Sequence, residues 1–250
     1  MMRYVDAHCH VDQYPDPRAE VGACESAQTY TIAVTNLPRE FVRTERLCVG
    51  RSFVRAAAGL HPELVARFPG AVEELLPLLA RTKYVGEIGL DYTQASPNDR
   101  ESQRKVLARV VATCEQLGGR VLTVHTRRAA EDALELLCDA TKSSIILHWF
   151  SGSMKVLARA VEAGCFFSVN PAMARSTSGR KILEAIPGDR ILTESDGPFV
   201  KHGGRELHPF EVRDALGEIA RIRGSTVEEF RSIVLQNFRR AVSLGGAEDR

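Results

Sequence analysis

Eight short β-prone runs recur along the chain, most of them separated by stretches with helical spacing, and this alternation restricts the possible folds more than any other feature. The runs are "RYVDAHCH", "YTIAVTN", "VRAAAGLHP", "KYVGEIGLDY", "RVLTVHT", "SSIILHWF", "CFFSV" and "RILTESDGPF". Between them, Val106, Leu107, Val110, Val111, Cys114 and Leu117 recur at three- and four-residue steps, which predicts a helix over residues 103–117. Similar apolar faces appear at 130–137, 154–161, 210–219 and 230–242. The stretch "AVEELLPLLART" also reads as a helix, with a kink or break expected at Pro77. Strands that alternate with helices pair in parallel, and eight of them in 250 residues predict a closed α/β barrel, the (β/α)8 or TIM barrel. There is no linker and no internal repeat, so residues 1–250 are expected to form one domain, with disorder confined to the tail "GGAEDR".

A barrel of this kind gathers the C-terminal ends of its strands on one face, where active sites are built. Several runs end in a residue able to bind a metal: His8 and His10 on the first, His61 on the third, Glu87 on the fourth, His125 on the fifth, His148 on the sixth and Asp196 on the eighth. His8 and His10 are two apart on a strand, so both side chains point to the same side. Of the seven histidines, only His202 and His208 fall elsewhere, in the segment after the last strand. A single histidine at such a place is ordinarily a hydrogen-bonded or surface residue; five converging on one face with two carboxylates point to a metal centre.

Imidazole and carboxylate together suit Zn, Mn, Co or Mg rather than an iron–sulfur or haem centre. Six ligands exceed what one tetrahedral ion needs, and a carboxylate can bridge two ions about 3.5–4 Å apart, the arrangement used for phosphoryl chemistry. Such a centre makes hydroxide available near neutral pH and stabilises charge on a leaving oxygen, so hydrolysis is the expected reaction. Neither a Gly-x-Ser-x-Gly elbow nor a Gly-x-x-x-x-Gly-Lys-Ser/Thr loop occurs, which argues against a serine nucleophile and excludes a P-loop nucleotidase.

The net charge of +1 provides no global field to draw the protein onto a polyanion, so any nucleic acid would have to be held by a local patch. The six cysteines are scattered without a Cys-x-x-Cys pair and read as reduced thiols, Cys114 and Cys138 on apolar helix positions. The N-terminus runs straight into a strand without a signal pattern, and no apolar run of about 18 residues occurs, so a cytoplasmic protein without membrane contact is expected.

The motifs "VDAHCH", "GLHPE", "VGEIGLDY", "TVHT", "LHWFSGS" and "LTESDGPF" occur in this order, and together they resemble the TatD family of metal-dependent deoxyribonucleases, within the amidohydrolase-like barrels, over residues 4–199 and on to "NFRRA". The resemblance implies a DNase that uses one or two divalent ions (Zn, Mg, Mn or Co) and acts on DNA, single-stranded or end-accessible. It implies that His8 and His10 bind one metal, that Glu87 bridges, and that His125 and His148 bind the second. Asp196 would complete the first site and serve as general base, and His61 would lie near the substrate phosphate. The wording of "YPDP", "HWFSGS", "CFFSVNPAM" and "ESDGPF" is similar to a narrower branch, the QatD component of the Qat anti-phage defence system, and implies work beside other Qat proteins. Two departures from the common pattern fall near the expected substrate mouth: Glu63 replaces a second histidine, and "GRELHP" keeps Arg205 and Pro209 but lacks the usual asparagine. A non-DNA substrate with a nucleoside-derived or amide bond, or a mainly binding role within a defence complex, therefore stays open beside the nuclease.

Smaller signals have two readings each. Trp149 and Phe150 can stack on an unpaired base or cap the barrel core. Arg127 and Arg128 after the fifth strand, and Arg175, Arg180 and Lys181 in "AMARSTSGRK", can meet a phosphate backbone from loops or be plain solvated charge. Ser176, Thr177, Ser178 and Gly179 can bind phosphate or cap the next helix. Arg127, Trp149, His61 and Arg205 are the candidates for substrate contact.

Overall fold

The computed structural model describes residues 2–244, and the tail "GGAEDR" lies outside them. Each of the eight runs contains a strand: β1 Tyr4–Cys9, β2 Thr29–Ala33, β3 Val54–Ala58, β4 Tyr84–Gly89, β5 Val121–His125, β6 Ser144–His148, β7 Phe166–Val169 and β8 Ile191–Thr193. They pair in parallel in the order β1 to β8, as a (β/α)8 barrel requires. Nearly every strand residue is buried, since helices cover the outside and side chains fill the inside.

The seam between β8 and β1 is closed largely by groups at and beyond the strand ends. The Thr193 hydroxyl donates to Val5 O, Ser195 donates from N and Oγ to the Asp6 carboxylate at 2.9 and 2.6 Å, Asp196 N donates to His8 O at 3.0 Å, and His10 N donates to Gly197 O at 2.9 Å. These bonds join the two motif-bearing ends, "DAHCH" and "ESDG", side by side.

The helices are α1 Pro17–Ala27, α2 Pro38–Cys48, α3 Ala71–Leu78, α4 Pro97–Gln116, α5 Ala130–Leu137, α6 Met154–Glu162, α7 Pro171–Arg175, α8 Thr177–Ala185, α9 Arg213–Arg223 and α10 Val227–Leu244. Pro77 stays within α3, which ends one residue later at Leu78. Helix α4 begins six residues before its first expected position: Pro97 fits the first turn, and Ser96 with Asp99 forms a capping box. Helix α9 begins three residues later than residue 210, since Pro209–Glu211 is a 3-10 turn, and it ends at Gly224 with φ 64°.

The stretch "AMARSTSGRK" is not a loop. Arg175 ends α7, Arg180 and Lys181 lie within α8, and Ser176 caps α8 by accepting from Gly179 N at 2.9 Å. A small hairpin, β9 Lys201–His202 and β10 Arg205–Glu206, follows β8. Cys9, Cys24, Cys48, Cys114 and Cys165 are buried free thiols, whereas Cys138, expected on an apolar face, is exposed at the end of α5. Among the described residues no helix is long and apolar enough to cross a membrane.

Candidate metal centre

Glu87 lies at the middle of the cluster, and its position follows from close backbone approach. Its N–H donates to Thr35 O at 3.0 Å, beside Gly59, where a Cβ would fall 2.1 Å from Thr35 O and 2.4 Å from Glu87 N. Only glycine at residue 59 leaves room for that bond. Buried on β4, the Glu87 carboxylate then divides its oxygens between two groups of side chains.

Toward Oε2 stand His10 Nε2 at 3.2 Å and His8 Nε2 at 3.6 Å, both also 3.8 Å from Asp196 Oδ1. Toward Oε1 stand His125 Nδ1 at 2.7 Å, His148 Nε2 at 3.5 Å and His61 Nε2 at 3.5 Å. All seven residues read from the strand ends therefore meet around one carboxylate. Asp196 sits at φ 48°, in the left-handed region that few non-glycine residues occupy, held there by its N–H bond to His8 O.

The donor set fits divalent cations. Sets of three, His8–His10–Asp196, His8–Glu87–His148 and His61–Glu87–His125, each present ligand atoms within 4.8 Å of one another. His8 Nε2 and His10 Nδ1 are buried without a hydrogen-bond partner, and a buried polar atom is costly to leave so. For His8 Nε2, which faces the Glu87 and Asp196 oxygens, a cation would remove that cost.

Electrostatics within the cluster are sharply divided. Burial is the largest influence on every member. It pushes His61 down to about 4 and His8 well below the usual imidazole range, the latter helped by neighbouring His148. On His125 burial is outweighed by hydrogen bonds to Asp91 and Glu87, which hold it at about 9. On His148 it is outweighed by the charges of Glu194 and Asp196, which hold it at about 10. Burial raises Asp196 to about 7 against the pull of His148 and His10. Glu87 stays well below the usual carboxylate range in spite of burial, because His61 and hydrogen bonds to His10, His125 and His8 favour its charged form.

Three residues that hold the cluster in place were not singled out from the sequence. Thr123 Oγ1 lies 2.7 Å from His8 Nδ1, Asp91 Oδ2 lies 2.7 Å from His125 Nε2, and the Glu194 carboxylate lies 3.2 Å from His148 Nδ1. Asp91 and Glu194 stand inside quoted motifs, "GLDY" and "TESD", and their strand-end location was the available signal. Which histidine each one serves depends on the fold.

The cluster opens into a pocket of about 580 Å³ whose wall includes Asn36, Glu63, Arg127, Trp149, Ser151 and Phe199. Trp149 and Phe150 separate: Trp149 is 38% exposed at the mouth, and Phe150 is buried against Phe167. Phe199, unremarked in the sequence, is 58% exposed and packs its ring edge-on to His10 at 4.9 Å. Arg127 lines the pocket, but Arg205 does not. Its guanidinium, on β10, makes two bonds of 2.6 and 2.7 Å to the Glu211 carboxylate. Arg175 is likewise engaged, with Glu218 at 3.2 Å and His202 at 2.7 Å.

Comparison with known proteins agrees with this geometry. The family model described as TatD related DNase matches residues 5–243. Human deoxyribonuclease TATDN3 is 28% identical over 93% of this chain and 92% of its own length. The Escherichia coli K12 metal-dependent hydrolase YcfH is 29% identical over 96% of this chain and 95% of its own. Among solved structures, the TatD homolog YJJV of Escherichia coli K12 superposes with a TM-score of 0.82 at 23% identity, covering 95% of this chain and 97% of that one, a likeness of fold.

Proposed function

Because the chain belongs to the TatD related DNase family, matched over residues 5–243, we propose that the cluster around Glu87 is a two-metal centre that hydrolyses DNA phosphodiester bonds. The family makes the protein a metal-dependent hydrolase; the assignment of roles to residues is our own. The observation that carries it is the division of the Glu87 oxygens, Oε2 toward His8 and His10 and Oε1 toward His125 and His148. On this reading His8, His10 and Asp196 hold one ion, His125 and His148 hold the other, and Glu87 serves both. Divalent ions held there would supply Lewis acidity, easing water deprotonation and neutralising charge on phosphate oxygens.

The remaining steps fall to side chains. Asp196, whose Oδ1 faces His8 and His10 at 3.8 Å, would take a proton from the attacking water as general base. His61 is kept neutral by burial, and its Nδ1 accepts from Glu63 N at 3.2 Å, so its remaining proton sits on Nε2. From the pocket wall that N–H can donate to a phosphate or leaving oxygen as charge develops. Arg127 adds a cation for the backbone, and Trp149 and Phe199 offer aromatic faces for unpaired bases, which favours single-stranded or end-accessible DNA.

A finer setting, defence against phage beside other Qat proteins, is supported by the wording of "YPDP", "HWFSGS", "CFFSVNPAM" and "ESDGPF". The test of the main reading is cleavage of end-labelled single-stranded and duplex DNA by chelator-treated protein supplied with Mg, Mn, Co or Zn. Metal-dependent cleavage is expected. Metal uptake without cleavage of any oligonucleotide would redirect the search to small phosphoesters and amides. For the defence setting, a Glu87→Ala strain should lose phage resistance; retained resistance would favour a binding role.

A further inference from the structure

Two of the three histidines on the Oε1 side of Glu87, His148 and His125, share a feature that His61 and those on the Oε2 side lack. Each has its far ring nitrogen against a buried carboxylate. His148 presents Nε2 to Glu87 Oε1 at 3.5 Å while its Nδ1 lies 3.2 Å from both oxygens of Glu194. His125 presents Nδ1 to Glu87 Oε1 at 2.7 Å while its Nε2 lies 2.7 Å from Asp91 Oδ2. On the other side, among the described residues, His8 Nδ1 meets the Thr123 hydroxyl at 2.7 Å, and His10 Nδ1 has no hydrogen-bond partner, the nearby Asp12 carboxylate acting on that ring only through its charge.

Both carboxylates are themselves fixed. Glu194 is fully buried and accepts from Ser168 Oγ and from Asn170 Nδ2 at 2.9 Å. Asp91 is 2% exposed; its Oδ1 accepts from Thr93 N at 2.7 Å, and its own N donates to Gln103 Oε1 at 2.8 Å. A carboxylate in that place fixes which ring nitrogen carries the proton, orients the ring and makes the opposite nitrogen more basic. With an ion bound, the two pairs would use opposite nitrogens, Nδ1–H on His148 and Nε2–H on His125, leaving the nitrogen nearer Glu87 Oε1 free on each ring to hold the ion.

We propose that Glu194 and Asp91 are positioning residues for one ion only, the one on the Oε1 side of Glu87, and set its affinity through the tautomers of His148 and His125. The proposal rests on the two-metal reading above and adds an asymmetry to it. Thr123 is its counterpart on the Oε2 side, as a neutral hydroxyl.

The test is titration of the metal-free full chain with Zn2+ against a competing chelator, together with 15N NMR of the histidine rings in the loaded protein. Wild type should take two ions, with Nδ1 protonated on His148 and Nε2 protonated on His125. Glu194→Gln and Asp91→Asn should each weaken one ion by roughly 10–100-fold and leave the other within about twofold. Thr123→Val should act on the other ion. Unchanged affinities in both carboxylate variants, equal loss of both ions, or the opposite tautomers would overturn the proposal while leaving a metal centre in place. Should wild type take up no Zn2+, the two-metal reading itself fails and this inference with it. Circular dichroism screens the variants for folding, and Ser168→Ala, which removes one support of Glu194, gives a milder variant expected to weaken the same ion.

Discussion

The rings of His8 and His148, from β1 and β6, stack face to face with centroids 3.8 Å apart and planes 9° from parallel. Two imidazolium ions at that separation repel strongly, so in the metal-free protein the pair shares its charge unequally. Burial with His148 beside it keeps His8 neutral, while Glu194 and Asp196 overcome burial and keep His148 protonated to about 10.

A pH dependence follows. His148 at about 10 and His125 at about 9 hold their protons more tightly in the folded state than in the unfolded one, where the value is about 6.5. Their contribution to stability is complete below pH ~6.5 and is lost as pH rises through about 9 to 10. The melting temperature of chelator-treated protein should therefore fall between about pH 6.5 and 10. Metal must displace the same protons, so its affinity should rise over that range. A flat melting profile in the metal-free protein would contradict the pairing of these histidines with Asp91, Glu87 and Glu194.

Removing the shared carboxylate should be more damaging than removing any one neighbour. Glu87→Ala takes oxygens from both sides of the cluster, and cleavage should fall at least about 100-fold, comparable to losing a major charge-stabilising group. Asp196→Asn should cost about 10²–10⁴-fold in kcat if it is the general base. Single-turnover cleavage assays on folded variants decide this, and a wild-type rate in either would remove that residue from the chemistry.

Trp149 and Phe199 are at the pocket mouth and exposed, an arrangement suited to stacking on unpaired bases. Trp149→Ala should weaken binding of a single-stranded oligonucleotide by about 1–3 kcal/mol and binding of a blunt duplex much less. Fluorescence anisotropy with both probes measures the difference; equal losses would indicate a packing role.

Arginines 127 and 205 should behave differently. Arg205 is held by Glu211 outside the pocket wall, so Arg205→Ala should leave DNA affinity within about twofold. Arg127→Ala should weaken binding uniformly across sequences and reduce the salt slope by about 1, the signature of a single phosphate contact. Affinity measured across a salt series separates them.

The eight strands were legible because a strand covered by helices is written as a short apolar run, and the metal-binding residues because they punctuate those runs. Helix limits were less legible. The start of α4 is decided by Ser96, Pro97 and Asp99, which break the apolar period, and α7 and α8 hide in a Ser- and Arg-rich segment whose few core residues, Met173, Ala174, Ile182 and Leu183, are too widely interrupted to show a helical period. The partner of Arg205 was hidden for a related reason: nothing in "GRELHP" says that Glu211, six residues on, pairs with its guanidinium.

The sequence by itself determined the barrel and the seven side chains that meet at its C-terminal end, since both depend on periodicity and on the order of strands. Only the tertiary structure decided that Glu87 divides its oxygens between two groups, that Glu194 backs His148 and Asp91 backs His125, and that Phe199 rather than Phe150 joins Trp149 at the mouth. Those relations are contacts between residues on different strands. They are fixed by strand register and barrel closure, which set distances that no local pattern encodes.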